Sequence, residues 1–246
     1  MTNPLIKLVK TLLIALPLIG ILNKTFADVP VGTVVRQTGK VSVIDAKGNI
    51  QVLAVGGSVK EGDAVATEKA SSVQLQMKDG ALIALTAESV LKISLYHSHE
   101  ANGEKDGIKL TLQKGRMRTI TGDTQKDTYQ LTTPTATIGI NGTVYDVMVS
   151  PDSAVTTLIL REGEVVAEPV CEGGATAPKQ VVNVPGTSVQ LKKPCTCTKP
   201  SPATEAVADL DAALPMATAA GGAAGGGPAP GSGSGAPGTG SGKVSP

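Results

Sequence analysis

The stretch TTPTATIGINGTVYDVMVS, Thr132 to Ser150, decides the fold of this chain. It is dense in Thr, Val and Ile, whose branched Cβ atoms crowd a helix and suit a pleated strand. Pro134 stands near its start, and Gly139 and Gly142 bracket Asn141. From Val144 to Val149 the run alternates cleanly, so the segment reads as strand, tight feature, strand. Pro134 fixes its own φ and biases Thr133 towards extended backbone. Gly139 and Gly142 permit positive φ or close backbone approach. Asn141-Gly142 is a tight-turn dipeptide. The expected role is a structural corner that redirects a strand across a sheet, with partner docking as the other role open to it.

The same texture extends on both sides. From Val31 onward, short runs such as KVSVID, IQVLAV, SSVQLQM and ALIAL alternate with turn signals such as AKGN and KDG. Each run spans about five to eight residues with period-two alternation, and no longer window is helical in period. No Pro interrupts the chain between Pro30 and Pro134, as an unbroken ladder requires. Residues 29–193 therefore read as one all-β domain. Beyond residue 27 there is no Trp or Phe, only Tyr96, Tyr129 and Tyr145. A core of Val, Ile, Leu and Ala suits a short-stranded sandwich or solenoid-like arrangement. It argues against the aromatic platforms that bind sugars or single strands.

The ends differ in kind. Lys7 and Lys10 precede an apolar run from Thr11 to Leu22, and Thr25-Phe26-Ala27 puts small residues at −3 and −1. That is a secretory signal peptide over 1–27, cleaved before Asp28. The apolar run is shorter than the ~18–20 residues of a spanning helix, so no stable membrane insertion is expected after cleavage. Cleavage removes three lysines and no acid from the 22 basic and 21 acidic residues, leaving a net charge of −2. Such a balance offers nucleic acid no general attraction. The folded part is expected over 28–197, followed by a disordered Ala/Gly/Ser/Pro-rich tail over 198–246. Within the tail, Ala203 to Met216 has the composition of a helix ending before Pro215. Gly242-Lys243 is not a phosphate loop, because Val244 stands where Ser or Thr is needed.

Four motifs in order resemble the FecR domain, the periplasmic sensor module of FecR-type sigma regulators. Gly32-Thr33-Val34 with Gly39-Lys40-Val41 resembles its opening hairpin, and Gly62-Asp63-Ala64-Val65-Ala66-Thr67 its G-D-x-I-x-T step. Val73 to Leu85 with Asp79-Gly80 resembles its central hairpin. Thr133-Pro134-Thr135-Ala136 followed by Gly142-Thr143 resembles its T-P-x-A…G-T signature, and LILREGEVVA (Leu158–Ala167) the strand pair that follows. The resemblance covers Val31 to Leu191. It implies the fold and an envelope location; the signature residues Thr133, Pro134, Thr135, Ala136, Asn141, Gly142 and Thr143 are those where partner docking stands as the alternative to a structural corner. Asn141 stands where the family commonly has Arg. The anti-sigma segment, membrane helix and receptor-contacting domain of sigma-regulating members are not recognised here, so sigma regulation is not implied.

Candidate chemistry is sparse. His97 and His99 are two apart, on one face of a strand, with Glu100 and Glu104 near in sequence. No third His or Cys is close in sequence, so a solvated strand end is expected and no metal or cofactor. Asp79, Asp123, Asp127 and Glu162 are expected in turns beside Gly or Lys, Glu88 in a turn beside Ser89, and no pair has the spacing of an acid and a base. Cys171 follows the strand Glu164–Ala167, and Cys195 follows Val189–Leu191. If those strands are neighbours, Cys171 reaches Cys195 or Cys197, with Cys195 preferred, as suits an exported chain.

The expected function is a non-catalytic, periplasmic or secreted binding or sensing module that docks an unidentified envelope protein through a sheet edge or the signature loop. The alternative is a structural envelope or matrix scaffold with a flexible tail. An enzyme or metal carrier would need His97 and His99 to converge with other ligands in space.

Overall fold

A computed structural model describes residues 29–97, 107–122, 128–173, 175 and 177–203. The segment expected as a signal peptide over 1–27, His99, Glu100, Glu104, Asp123, Asp127 and residues 204–246 lie outside the described residues. Among those described there is no α-helix, and none is long and apolar enough to cross a membrane. The chain is all-β, as its alternation requires.

The strands run β1 (Pro30–Thr38), β2 (Val41–Ile44), β3 (Ile50–Val52), β4 (Ser58–Lys60), β5 (Ala64–Thr67), β6 (Ser72–Met77), β7 (Leu82–Leu85) and β8 (Val90–His97). They continue with β9 (Gly107–Ile120), β10 (Tyr129–Thr132), β11 (Ala136–Val149), β12 (Val155–Pro169), β13 (Gln180–Val182), β14 (Thr187–Lys192), β15 (Thr196–Cys197) and β16 (Ser201–Pro202). Four strands exceed the expected five to eight residues: β1 has 9, β9 and β11 have 14 and β12 has 15. The reason is a bulge, which bends a strand without ending it. β16 pairs with β14 through Ser188↔Ser201 and Thr187↔Pro202, so β structure passes the boundary expected at residue 197.

Hydrogen bonding is continuous, but the sheet folds into two layers. The first contains β4, β1, β6, β7, the second half of β9, the second half of β11, the first half of β12, and β14. The second contains β3, β2, β5, β8, the first halves of β9 and β11, β10, the second half of β12, and β13. β10 lies parallel to β9, and the other pairings are antiparallel.

The inward rows can be read from the register. Across the first layer, Val34, Leu75, Ile83, Thr119, Tyr145 and Leu160 stand side by side. Across the second, Ile93, Leu110, Leu131, Ile138 and Ala167 do so. Every member of both rows is at most 1% exposed, and their apolar members form one cluster. Period-two alternation puts these residues inside and Gln74, Gln76 and Lys92 outside.

β9, β11 and β12 belong to both layers. Each crosses at a glycine with positive φ: Gly115 (88°), Gly142 (65°) and Gly163 (85°). Gly115 lies opposite Val149, whereas Gly142 lies beyond the Val144↔Ile120 pair. The crossings therefore sit at opposite ends of the first layer, and the sandwich is laced at both ends, as corner-forming sheets are.

Candidate functional site

The opening stretch resolves into a hairpin and a corner. β10 turns through Thr133–Thr135 into β11, with the Thr133 amide donating to the Ala136 carbonyl at 2.8 Å. Pro134 sits in the loop, where it removes no ladder donor. Thr133 and Thr135 are buried, and both hydroxyls meet the buried Thr156 hydroxyl, at 2.8 and 2.7 Å. The Thr135 hydroxyl also lies 3.0 Å from the Leu191 carbonyl, which it reaches as donor. These threonines fasten the hairpin to β12 and β14.

Asn141-Gly142 does not close a turn. It is a bulge inside β11, and the register against β12 shifts between Asn141 and Val144. The Thr143 amide donates to the Thr121 hydroxyl at 2.8 Å, and the Thr121 amide to the Thr143 carbonyl at 3.1 Å. Thr133, Thr135, Ala136 and Thr143 are buried, Pro134 is half-buried, and Asn141 and Gly142 are exposed. Of the seven signature residues, the corner pair alone faces solvent fully.

Beyond the corner β11 carries a charge that alternation alone does not reveal. Asp146 is 0% exposed, on the face opposite Tyr145 and Val147. Its carboxylate accepts from Arg118 Nε at 2.6 Å, Arg118 Nη2 at 2.9 Å and Arg161 Nε at 2.8 Å. Two guanidinium groups from β9 and β12 thus clasp one buried carboxylate on the central strand. A buried ion of this kind needs such partners to offset its lost hydration.

The three tyrosines converge inside. Tyr96 donates to the Asp79 carboxylate at 2.6 Å, and the Tyr145 and Tyr129 hydroxyls are 3.4 Å apart. These contacts span the two layers. Asp79 was expected as a solvated turn acid, but it is 6% exposed. It also accepts from the Ala81 amide at 3.1 Å, so the turn is closed by a carboxylate that pins the core. Burial pushes the Tyr145 phenol up to about 12, with the Thr119 and Tyr129 hydroxyls opposing. Burial pushes Tyr96 and Tyr129 up as well.

Cys171 and Cys195 are bonded, with Cα atoms 4.8 Å apart. The strands that precede them are not the neighbours the sequence reading assumed. Val165–Ala167 pairs with β13, whereas Val189–Leu191 pairs with Thr156–Leu158. The bond therefore staples the end of the second layer to the end of the first, near Thr135 and Leu191. Cys197 is a half-buried free thiol packed on the core, pushed up by burial. His97 lies beside Glu61, Nε2 to carboxylate oxygen 3.2 Å, and the same carboxylate accepts from the Tyr96 amide at 3.0 Å. Among the described residues no group of three metal-ligating side chains converges.

An open edge belongs to β3. It pairs with β2 alone, and Ile50 and Val52 are 71% and 86% exposed. The hydrophobic run IQVLAV had marked a strand there, but nothing in it showed that the strand lies at an edge.

The family model described as FecR protein matches residues 63–166. Two crystal structures of a candidate anti-sigma factor from Parabacteroides distasonis superpose with TM-scores of 0.46 and 0.47, at 15% and 14% identity. Each covers 60% of this chain, and the chain spans 64% of the length of each. A cell surface anchoring domain is similar at 26% identity and a TM-score of 0.25, over 25% of this chain and 82% of that one. No curated protein matches the chain. The family match runs from the Asp63 step through the hairpin, the corner and the clasped Asp146 to Val166, and over this span the chain is similar to the FecR protein family.

Proposed function

We propose that this chain is an exported, non-catalytic FecR-type module that binds or senses an envelope protein, and that the partner adds at the β3 edge. The observation that carries the reading is the edge itself. Natural sheets blunt their edges with charge, Pro or cover, because unpaired N–H and C=O groups recruit other chains. β3 instead presents Ile50 and Val52 to solvent, with Val55 following at 61% exposure. An extended segment can extend such a sheet by main-chain pairing while its alternate side chains read the apolar pair. Export is supported by the signal pattern of residues 1–27 and by the disulfide. The non-catalytic reading is supported by the use of the buried acids: Asp79 and Asp146 are engaged in core and clasp contacts.

The test is capture of a partner from envelope extract by the mature full chain, alongside Val52→Lys and Asn141→Ala. Loss of one captured species with Val52→Lys, at unchanged melting, is the expected result. Loss with Asn141→Ala alone would move the docking site to the corner. No captured species with any form would leave the scaffold reading in its place.

A further inference from the structure

The open edge of β3 has a symmetry that selects its occupant. Asn49 and Leu53 bond to β2: the Asp45 amide donates to the Asn49 carbonyl at 3.0 Å, and the Leu53 amide to the Val41 carbonyl at 2.9 Å. In an antiparallel ladder, residues whose backbone groups face a neighbour alternate with residues whose groups face away. Gln51, opposite Val43, therefore faces β2 as well. Ile50 and Val52 turn their N–H and C=O groups to the other side, where among the described residues no strand stands. The available groups stop there. The next residues in the outward series are Gly48 and Ala54. The Gly48 amide already donates to the Asp45 carbonyl, and the Ala54 carbonyl accepts from the Gly57 amide.

The outward groups are thus placed evenly about Gln51, and such a set is its own complement. A half-rotation about an axis through Gln51 sets Val52 of a second copy opposite Ile50, and its Ile50 opposite Val52. Each pair exchanges both of its main-chain bonds, so every outward group of both residues is used.

The side chains agree. Val41 and Val43 of β2 face the core, so Leu53 and Gln51 face that side, and Ile50 and Val52 share the outer face with Ile44. In the half-rotated pair, Ile50 and Val52 of each copy meet on that face as β-branched cross-strand neighbours. In the single chain they are the strongly exposed pair of this edge. Gln51 meets its own image on the other face, where a side-chain amide both donates and accepts. Charge does not oppose the pairing. Residues 48–59 carry none, and the register sets Lys47 opposite Val55 rather than opposite its image. Natural edges are kept apart by charge, Pro and bulges. β3 has no charge and no Pro, and its register against β2 is unshifted.

We infer that β3 pairs antiparallel with β3 of a second copy of this chain, with Gln51 on the two-fold axis. The inference rests on the reading of β3 as a docking edge and names a resident occupant, which an envelope protein adding there has to displace. A strand of 3 residues buries far less than the ~1,200 Å² of a standard interface, so dilution separates the pair.

Sedimentation of the mature full chain between ~1 μM and ~1 mM, the range of weak complexes, tests this. The expected result is a monomer when dilute and a dimer when concentrated. Val52→Lys should stay monomeric throughout at unchanged melting, because a lysine closes an edge. Gln51→Cys should give, on oxidation, a dimer that peptide mapping shows to be linked through position 51, since directly opposed residues lie within disulfide reach. Val184→Cys, exposed away from this edge, should link at least ~10-fold more slowly, because pairing does not concentrate it. Gln51→Cys keeps Ile50 and Val52 and decides alone if Val52→Lys melts early. A monomer at the highest concentration, a dimer that survives Val52→Lys, or linking through position 51 no faster than through position 184 would overturn the inference. A monomer that still loses its captured envelope species with Val52→Lys would end self-pairing and leave the docking edge standing. A dimer that captures nothing would support self-pairing and end the envelope-partner reading.

Discussion

Gly163 lies against Gly142 so closely that a Cβ on Gly163 would stand 2.2 Å from the Gly142 carbonyl oxygen. Two neighbouring strands thus turn the same corner in contact, and the closeness requires glycine on one side and left-handed backbone on both. Gly142→Val should destabilise the domain by more than ~1 kcal/mol, from backbone strain. Gly163→Ala should cost more, since steric overlap adds to strain. Asn141→Ala should cost less than either. Thermal melting of the three variants checks the order, and a Gly142→Val protein that melts like the parent would remove the corner account.

Asp146→Ala should be among the most damaging single changes in the chain, on the order of 3 kcal/mol, because it leaves Arg118 buried beside no carboxylate. Replacing Arg118 and Asp146 together by Met and Leu should recover part of the loss. Urea denaturation of the single and double variants measures the difference.

Alkaline stability follows from the tyrosines. The folded-state pKa of Tyr145 is raised from 10.0 to about 12 by burial. Unfolded chains lose the phenolic proton first, so stability is full below pH 10 and falls as pH rises from 10 through 12. Phenolate absorbance and loss of β-type circular dichroism should therefore appear together. Phenolate formed at pH 10 in a protein with native dichroism would contradict the burial of all three rings.

Cys171→Ser with Cys195→Ser should lower stability by about 3 kcal/mol, the loop-closure term for their separation. Peptide mapping without reductant should recover Cys171 joined to Cys195. Cys197 should alkylate more slowly than an exposed thiol at neutral pH, because burial raises its pKa.

Mass spectrometry of the envelope fraction should find a mature N-terminus at Asp28. Intact Met1 in the membrane would show an anchor instead.

Much of this architecture was legible in the chain because period-two alternation is local. Val73, Leu75 and Met77 announce their face without any neighbour. Gly142 was legible too, since its type limits its backbone. What could not be read was the use of a residue by a distant strand. Asp146 looks like any polar residue on the solvent side of VYDVMV, and only the β9 and β12 registers bring Arg118 and Arg161 to it. The bulge at Asn141-Gly142 was read as a turn because one dipeptide serves both, and the choice depends on whether β12 follows around the bend. Asp79 was assigned to solvent because a turn acid usually belongs there, and Tyr96 arrives from the other layer. The cysteine pairing was anticipated on a wrong premise: the strands are not neighbours, and the bond runs between layers.

The lacing of the sandwich bears on how the molecule comes apart. Two stacked sheets that shared no strand could peel from one another, each keeping its own ladder. Here β9 binds the layers at one end, while β11 and β12 bind them at the other. Separating the faces would require breaking ladder bonds in both at once. Load applied at the β3 margin would be carried through β2, β5 and β8 into β9, and so into the opposite layer, without passing through a loop. Native-state hydrogen exchange should accordingly find the slowest amides of both layers opening at one common free energy, as a single cooperative unit.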